Sequence, residues 1–187
     1  MQLSILDKDQ VKIIYNERMK EDFPPDELKP LAMIYKAMDA NIYFCYGLTE
    51  ADEILGYTFL VKQKETEDYL IDYIAIDKRK RNQGLGAILI KELGDLLKDA
   101  DSVIGEVENP ALATEKEQQV LQKRRYDFYM RNGLIDTEVY VTCFGVPFII
   151  LEVDCGKKHS KEEIKLLYQA HYQLLLPREM YEKNIRV

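Results

Sequence analysis

Arg81-Asn82-Gln83-Gly84-Leu85-Gly86 is the segment whose residue types and spacing most directly suggest chemistry. An apolar run, Tyr69 to Asp77, enters it, and a helical repeat from Ala87 to about Lys98 leaves it. A turn between strand and helix presents successive backbone N–H groups and a helix N-terminus, which together hold phosphate oxygens. Gly84 and Gly86 let the backbone approach a ligand with no Cβ in the way. Lys78, Arg79, Lys80 and Arg81 stand together at the helix entrance, where cations oppose the helix dipole unless an anion joins them. The competing reading is a solvated basic turn whose glycines serve helix packing. Other phosphate signatures fit less well. A dinucleotide fingerprint needs a third small residue where Leu89 stands, and a Walker A loop needs Gly-Lys-Ser/Thr where Gly86 is followed by Ala-Ile-Leu.

One carboxylate near that turn stands out by its surroundings. Asp72 sits inside the apolar run, where a carboxylate is costly unless it is paired or lines a cleft. Strand alternation puts Leu70, Asp72 and Ile74 on one face. The two histidines, His159 and His171, are not four apart and no metal motif accompanies them, so no metal site is expected. Cys45, Cys143 and Cys155 are odd in number and far apart, with no Cys-x-x-Cys pair. They read as small buried hydrophobes in a reducing cytoplasm rather than as a disulfide framework or zinc site. The serines are Ser4, Ser102 and Ser160, and no Gly-x-Ser-x-Gly elbow exists, which excludes a serine hydrolase.

These residues need elements to position them. Leu3 to Ile5 reads as a short strand and Asp7 to Lys20 as a helix with Val11, Ile14, Tyr15 and Met19 on one face. Asp26 is expected to cap a second helix running to about Met38, with Pro30 in its first turn. Asn41 to Leu48 and Glu53 to Lys62 form a hairpin turning at Thr49 to Asp52. The 69–77 strand, the Gly-containing turn, a helix with Leu89, Leu93, Leu96 and Leu97 inward, and the strand Ser102 to Glu108 make a right-handed βαβ unit. Thr114 with Glu117 reads as a capping box for a helix to about Arg131, which Asn132-Gly133 stops. Thr137 to Phe144 and Phe148 to Val153 are strands joined by Gly145-Val146-Pro147. Ser160 with Glu163 caps a helix to about Leu175, and the residues after Pro177 read as a charged tail.

The chain has 187 residues, 47% hydrophobic and 32% charged, the balance of a single globular domain that hides roughly 70% of its unfolded surface. Its net charge of −7 speaks against nucleic acid or an anionic membrane as partner. No stretch approaches the length of a membrane span, and the N-terminus lacks the pattern of a signal peptide, so the expected location is the cytoplasm.

Arg-x-x-Gly-x-Gly after a buried strand and before a helix resembles the acetyl-CoA-binding signature of the GNAT family of N-acetyltransferases. Arg125-Tyr-Asp-Phe-Tyr129-Met-Arg-Asn-Gly133-Leu134 is similar to that family's later motif, in which a tyrosine donates a proton. Leu134 replaces the commoner aromatic residue, and the stretch from Glu108 to Tyr129 is longer than usual. The resemblance spans roughly residues 1–153. It implies an α/β fold, a central mixed, twisted sheet flanked by helices, over 1–155, with 156–187 as a helical extension packed on the same domain.

It also implies transfer of an acetyl group from acetyl-CoA to a primary amine by direct attack. Arg81, Asn82, Gln83, Gly84, Leu85, Gly86 and Ala87 would hold the pyrophosphate. Ile74, Ala75 and Ile76 would line the pantetheine arm, and Asn109 would be a further cofactor contact. Tyr129 would be the proton donor. The position where histone acetyltransferases of the family carry a glutamate is Leu70, so Asp72 is the best substitute base, with Glu106 and Glu108 on the next strand as alternatives and a purely structural hydrogen-bond acceptor as the competing reading of Asp72. The acceptor would be a small-molecule or peptide amine, and Asp22, Asp26 and Glu27 would suit a cationic one. The C-terminal strands and the extension offer a surface for a homodimer. The alternative is a non-catalytic acyl-CoA-binding or sensing module on the same fold.

Overall fold

The computed structural model describes residues 1–25, 27–51 and 53–187, so the expected cap at Asp26 and the tip of the first hairpin at Asp52 lie outside the described residues. β1 (Gln2–Ile5) leads into α1 (Lys8–Ile14), which continues through a π-helical stretch, Tyr15–Met19, to a last turn, Lys20–Asp22. There follow α2 (Leu31–Asp39), β2 (Tyr43–Glu50), β3 (Glu53–Lys62), β4 (Asp68–Ile76), α3 (Leu85–Leu96) and β5 (Ser102–Glu108). The chain ends with α4 (Lys116–Arg131), β6 (Leu134–Cys143), β7 (Val146–Val153), α5 (Lys161–Leu175), α6 (Arg178–Asn184) and β8 (Ile185–Arg186).

The strands form one sheet in the order β1-β2-β3-β4-β5-β7-β6-β8. Every neighbouring pair is antiparallel except β4 and β5, which α3 joins as a crossover. The expected mixed sheet is therefore present. One face carries α1, α2 and α5. Val11, Ile14, Ile34, Ile164, Tyr168 and Tyr172 from those helices meet Tyr57, Phe59, Leu70 and Tyr73 from the sheet in the largest core cluster. The other face carries α3 and α4. Leu93 packs on Leu60, Ile71 and Val103, and Ile90 packs with Leu134 and Ile149 against the partly buried Phe128 and Tyr129. Each fully buried Leu or Ile contributes about 1.5–3 kcal/mol by leaving water.

Four local expectations are corrected. α2 starts at Leu31 with Pro30 as its N-cap, because a residue before proline is pushed out of the helical region and the Lys29 N–H is taken by the Tyr73 hydroxyl at 2.9 Å. The Thr114 capping box does not form: α4 begins after Glu115 with no side-chain cap. Leu96 is exposed, whereas Leu97, just past the end of α3, is buried as expected. The expected charged tail is α6 and β8, fixed by Ile185, which is buried and pairs with Cys143 at the edge of β6. All three cysteines are free thiols. Among the described residues no helix is long and apolar enough to cross a membrane.

Candidate active site

β4 and β5 pair only from Asp68↔Ser102 to Ile71↔Gly105. Beyond that point β4 stays with β3 and β5 with β7, so the two strands part and open a cleft of about 970 Å³. An unpaired strand edge inside a sheet is costly unless something satisfies its N–H and C=O groups. Here the Asp77 N–H donates to the Leu55 carbonyl at 2.9 Å, making that a hydrogen-bonded antiparallel pair. Alternation then turns the peptide groups of Ile74 and Ile76 away from β3, toward the gap. Arg81 Nε, which reaches the Ile76 carbonyl at 3.1 Å, agrees with that direction. Ile74, Ala75 and Ile76 all line the cleft.

A β-bulge sits where the strands part. Phe59 opposes Tyr73 and Leu60 opposes Ile71, which leaves Asp72 as an extra residue. The bulge corrects the expected alternation: Leu70 and Tyr73 belong to the α1/α2/α5 face, while Ile71 and Ile74 face α3. Asp72 turns toward the first of these, away from Ile74. Its side chain is 1% exposed and accepts from Lys29 Nζ at 2.6 Å and from the Tyr43 hydroxyl. Burial works to lower the Lys29 pKa, but Asp72, with help from Tyr73, outweighs it and holds the ammonium above its ordinary value.

Glu106 lies one residue past the last β4–β5 pair and also lines the cleft. Tyr168 and Tyr172, one turn apart on α5, donate to its two oxygens at 2.6 and 2.7 Å. Burial pushes its carboxyl pKa up, and the two tyrosine hydrogen bonds and Lys29 pull against that. Tyr129 enters the cleft from α4, with its phenol pushed up to about 12 by burial, against Arg125 and with Glu108. It therefore holds its proton at neutral pH.

The turn at 77–86 is built by pairing every cation. Arg79 bonds Asp77, Lys80 reaches Glu53 at 3.0 Å, Lys78 lies 3.9 Å from Glu21, and Arg81 bonds Asp22. Hydrogen bonds from Arg79, with Arg18 nearby, hold the Asp77 carboxyl well below the usual range in spite of burial. Gly84 is the N-cap of α3 at φ 79°, a conformation that favours glycine, and no side chain caps that helix end. Gly86 also serves the helix packing of the competing reading: a Cβ there would lie 2.8 Å from Phe128 Cζ, so this glycine lets α4 approach α3. Arg81, Asn82, Gly84, Leu85, Gly86 and Ala87 line the cleft, joined by Arg124, whose guanidinium donates to Asn82 at 2.8 Å. Gln83 is exposed beside them.

One sequence candidate lies elsewhere. Asn109 caps the short turn Pro110–Leu112 through the Ala111 N–H at 3.0 Å and lines a separate shallow recess. Asp22 lines the cleft, committed there to Arg81 and to the Tyr57 hydroxyl at 2.7 Å. Glu27 does border the cleft, where its carbonyl accepts from Tyr73 at 2.8 Å. Lys29, Tyr43, Tyr168 and Tyr172 were not singled out by the sequence. The tyrosines at 168 and 172 carried a usable signal, a polar-tipped pair four apart on an apolar helix face. Among the described residues no cluster of His, Cys, Asp and Glu could hold a metal ion.

A family model described as an acetyltransferase (GNAT) domain matches residues 7–118. The chain belongs to the GNAT acetyltransferases. No curated protein matches it. Among solved structures, a protein of Bacteroides thetaiotaomicron named as a GNAT-family acetyltransferase superposes with a TM-score of 0.72 at 20% identity, over 94% of this chain and 98% of that one. A GNAT-family protein of Desulfovibrio desulfuricans gives 0.61 at 19% identity, over 82% and 98%. The spermidine N-acetyltransferase of Vibrio cholerae, solved with CoA and spermine, gives 0.61 at 12% identity, over 81% and 94%. At these identities the likeness is one of fold. The cleft between β4 and β5 is thus the candidate site of acetyl transfer.

Proposed function

We propose that the chain moves an acetyl group from acetyl-CoA to a primary amine, with the amine attacking the thioester carbonyl directly. One observation carries this reading: a single cleft collects an uncapped helix N-terminus at Gly84, an outward-turned strand edge at Ile74 and Ile76, a buried carboxylate and a protonated phenol. Acetyl-CoA supplies the activated acetyl group when bound. Arg81 to Ala87, with Arg124, hold its pyrophosphate through backbone N–H groups and side-chain charge. The Ile74 and Ile76 peptide groups pair with the pantetheine amides, and the Ile76 N–H donates to the carbonyl oxygen as negative charge develops there. Glu106 removes a proton from the ammonium so that nitrogen has a lone pair to form the C–N bond. Tyr129 protonates the sulfur as the C–S bond breaks. Asp72 keeps its place as the anchor of Lys29, and the proton-accepting role goes to Glu106, whose environment favours taking one up.

The test is titration calorimetry with acetyl-CoA on the wild type and on Gly84→Glu, followed by thiol release with a library of amines. The reading expects micromolar binding that Gly84→Glu abolishes, and turnover that Tyr129→Phe lowers at least tenfold while binding persists. Binding with no turnover on any amine would make the protein an acyl-CoA-binding module. No binding would end the reading altogether.

A further inference from the structure

The inner end of the cleft already contains a cation. Lys29 Nζ lies 2.6 Å from Asp72 Oδ1, 5.2 Å from the Tyr73 ring centre and 5.7 Å from that of Tyr172. A carboxylate with two aromatic faces is a cage suited to an alkylammonium. Its parts are rigid. Tyr43 holds the second oxygen of Asp72, and the Tyr73 hydroxyl is fixed by the Glu27 carbonyl and the Lys29 N–H. The lysine itself is fixed at both ends, by that backbone bond with Pro30 following and by the ion pair, and its side chain is only 13% exposed. Lys29, Asp72, Tyr73, Glu106 and Tyr172 all line the cleft, so the cage opens on the path of the acceptor. An ammonium paired with a buried carboxylate has no lone pair, so Lys29 is no acetyl acceptor. It is an occupant.

We propose that Lys29 is a specificity-determining residue: it fills the ammonium cage at Asp72 with the chain's own cation and reserves the cleft for acceptors with one amine, excluding diamines and polyamines. This rests on the acetyl-transfer reading above. The reacting amine goes to Glu106, and a second ammonium on the same molecule would need Asp72, where it meets Lys29 instead. Paired with Lys29, Asp72 offers a second ammonium no net attraction; an unpaired carboxylate about 5 Å away at an effective dielectric near 20 would favour that ammonium by roughly a hundredfold. The fold alone does not impose this, since a neighbour in shape is named as a spermidine acetyltransferase.

The experiment compares thiol release with n-butylamine and with 1,4-diaminobutane, as a ratio of kcat/KM, in the wild type, Lys29→Met and the charge-neutral pair Lys29→Met/Asp72→Asn. The wild type should favour the monoamine at least tenfold. Lys29→Met should move the ratio toward the diamine at least tenfold, and the double variant should return to within about threefold of the wild type. A wild type that favours the diamine, or a Lys29→Met ratio within twofold of it, overturns the proposal. Lys29→Met leaves buried Asp72 without its cation, so if that variant does not fold the wild-type ratio decides. Should acetyl-CoA bind but no amine react, the transfer reading fails and thermal shift judges the cage. Millimolar 1,4-diaminobutane must then raise the Tm of Lys29→Met and leave the wild type unmoved; equal shifts sink the proposal.

Discussion

Removing one hydroxyl from the far end of the chain should change how activity depends on pH. Tyr168→Phe keeps the buried ring that packs 4.9 Å from Tyr172 and deletes only the donor 2.6 Å from Glu106 Oε1. A hydrogen bond to a charged acceptor is worth about 1.5 kcal/mol, and 1.4 kcal/mol is a factor of ten. Burial already holds the Glu106 carboxyl above its ordinary range, and the tyrosine bonds are among the forces opposing that. Without one of them the carboxyl rises further. If Glu106 takes the amine proton, the acid limb of kcat/KM should move to higher pH by about tenfold in proton concentration, with the plateau within a few-fold of wild type.

Stability should carry the same number. A carboxyl whose folded pKa is raised contributes stability that is full below its ordinary value and is lost as pH rises through the raised one. Tyr168→Phe enlarges that loss. Its cost in urea unfolding should therefore be about 1.5 kcal/mol larger above the limb than below it. A limb that stays put, moves toward acid, or moves without the matching change in unfolding would refute the assignment of Glu106.

Gly86→Ala gains about 1 kcal/mol of helix propensity but sets a Cβ 2.8 Å from Phe128 Cζ, an overpacking that costs roughly 1–3 kcal/mol. The net expectation is a Tm lower by about 2–4 °C, recovered in Gly86→Ala/Phe128→Leu; a rise in Tm for the single variant would refute the contact. His171 is buried, its pKa lowered by burial against the pull of the Leu167 and Asp68 carbonyls. Its contribution to stability is present above pH about 6.5 and lost as pH falls through the depressed value, so the urea midpoint should drop on the acid side. His171→Asn should flatten that drop, and an unchanged slope in the variant would assign it to other groups.

What the sequence made legible follows from the range of its signals. β3 and β5 were read to the residue because each is an apolar run closed by polar turns, and the Ser160–Glu163 capping box because its bonds span three residues. The turn at Arg81–Gly86 was legible for the same reason. Asp72 lies on the face of Leu70 as its alternation implies, but its separation from Ile74 was not legible, since a bulge needs knowledge of what the partner strand does at Phe59 and Leu60. The start of α2 was misplaced because a hydroxyl 44 residues away takes the Lys29 N–H. Nothing within reach of Lys29 in sequence announces a carboxylate 43 residues on. Pairings of that range are visible only after the sheet has formed.

Glu106 also sets an order of events in time. The tyrosines that hold it lie 62 and 66 residues further along the chain. At 5–20 residues per second, β5 emerges from the ribosome roughly 3–12 s before they do. Through that interval the inner half of the sheet has neither its cover nor the donors for its buried acid, and closing β4 against β5 early would strand a charge in an apolar wall. Glu106 therefore meets the hydroxyls that hold it only once α5 has been made, which places the completion of the cleft's central acid late in synthesis.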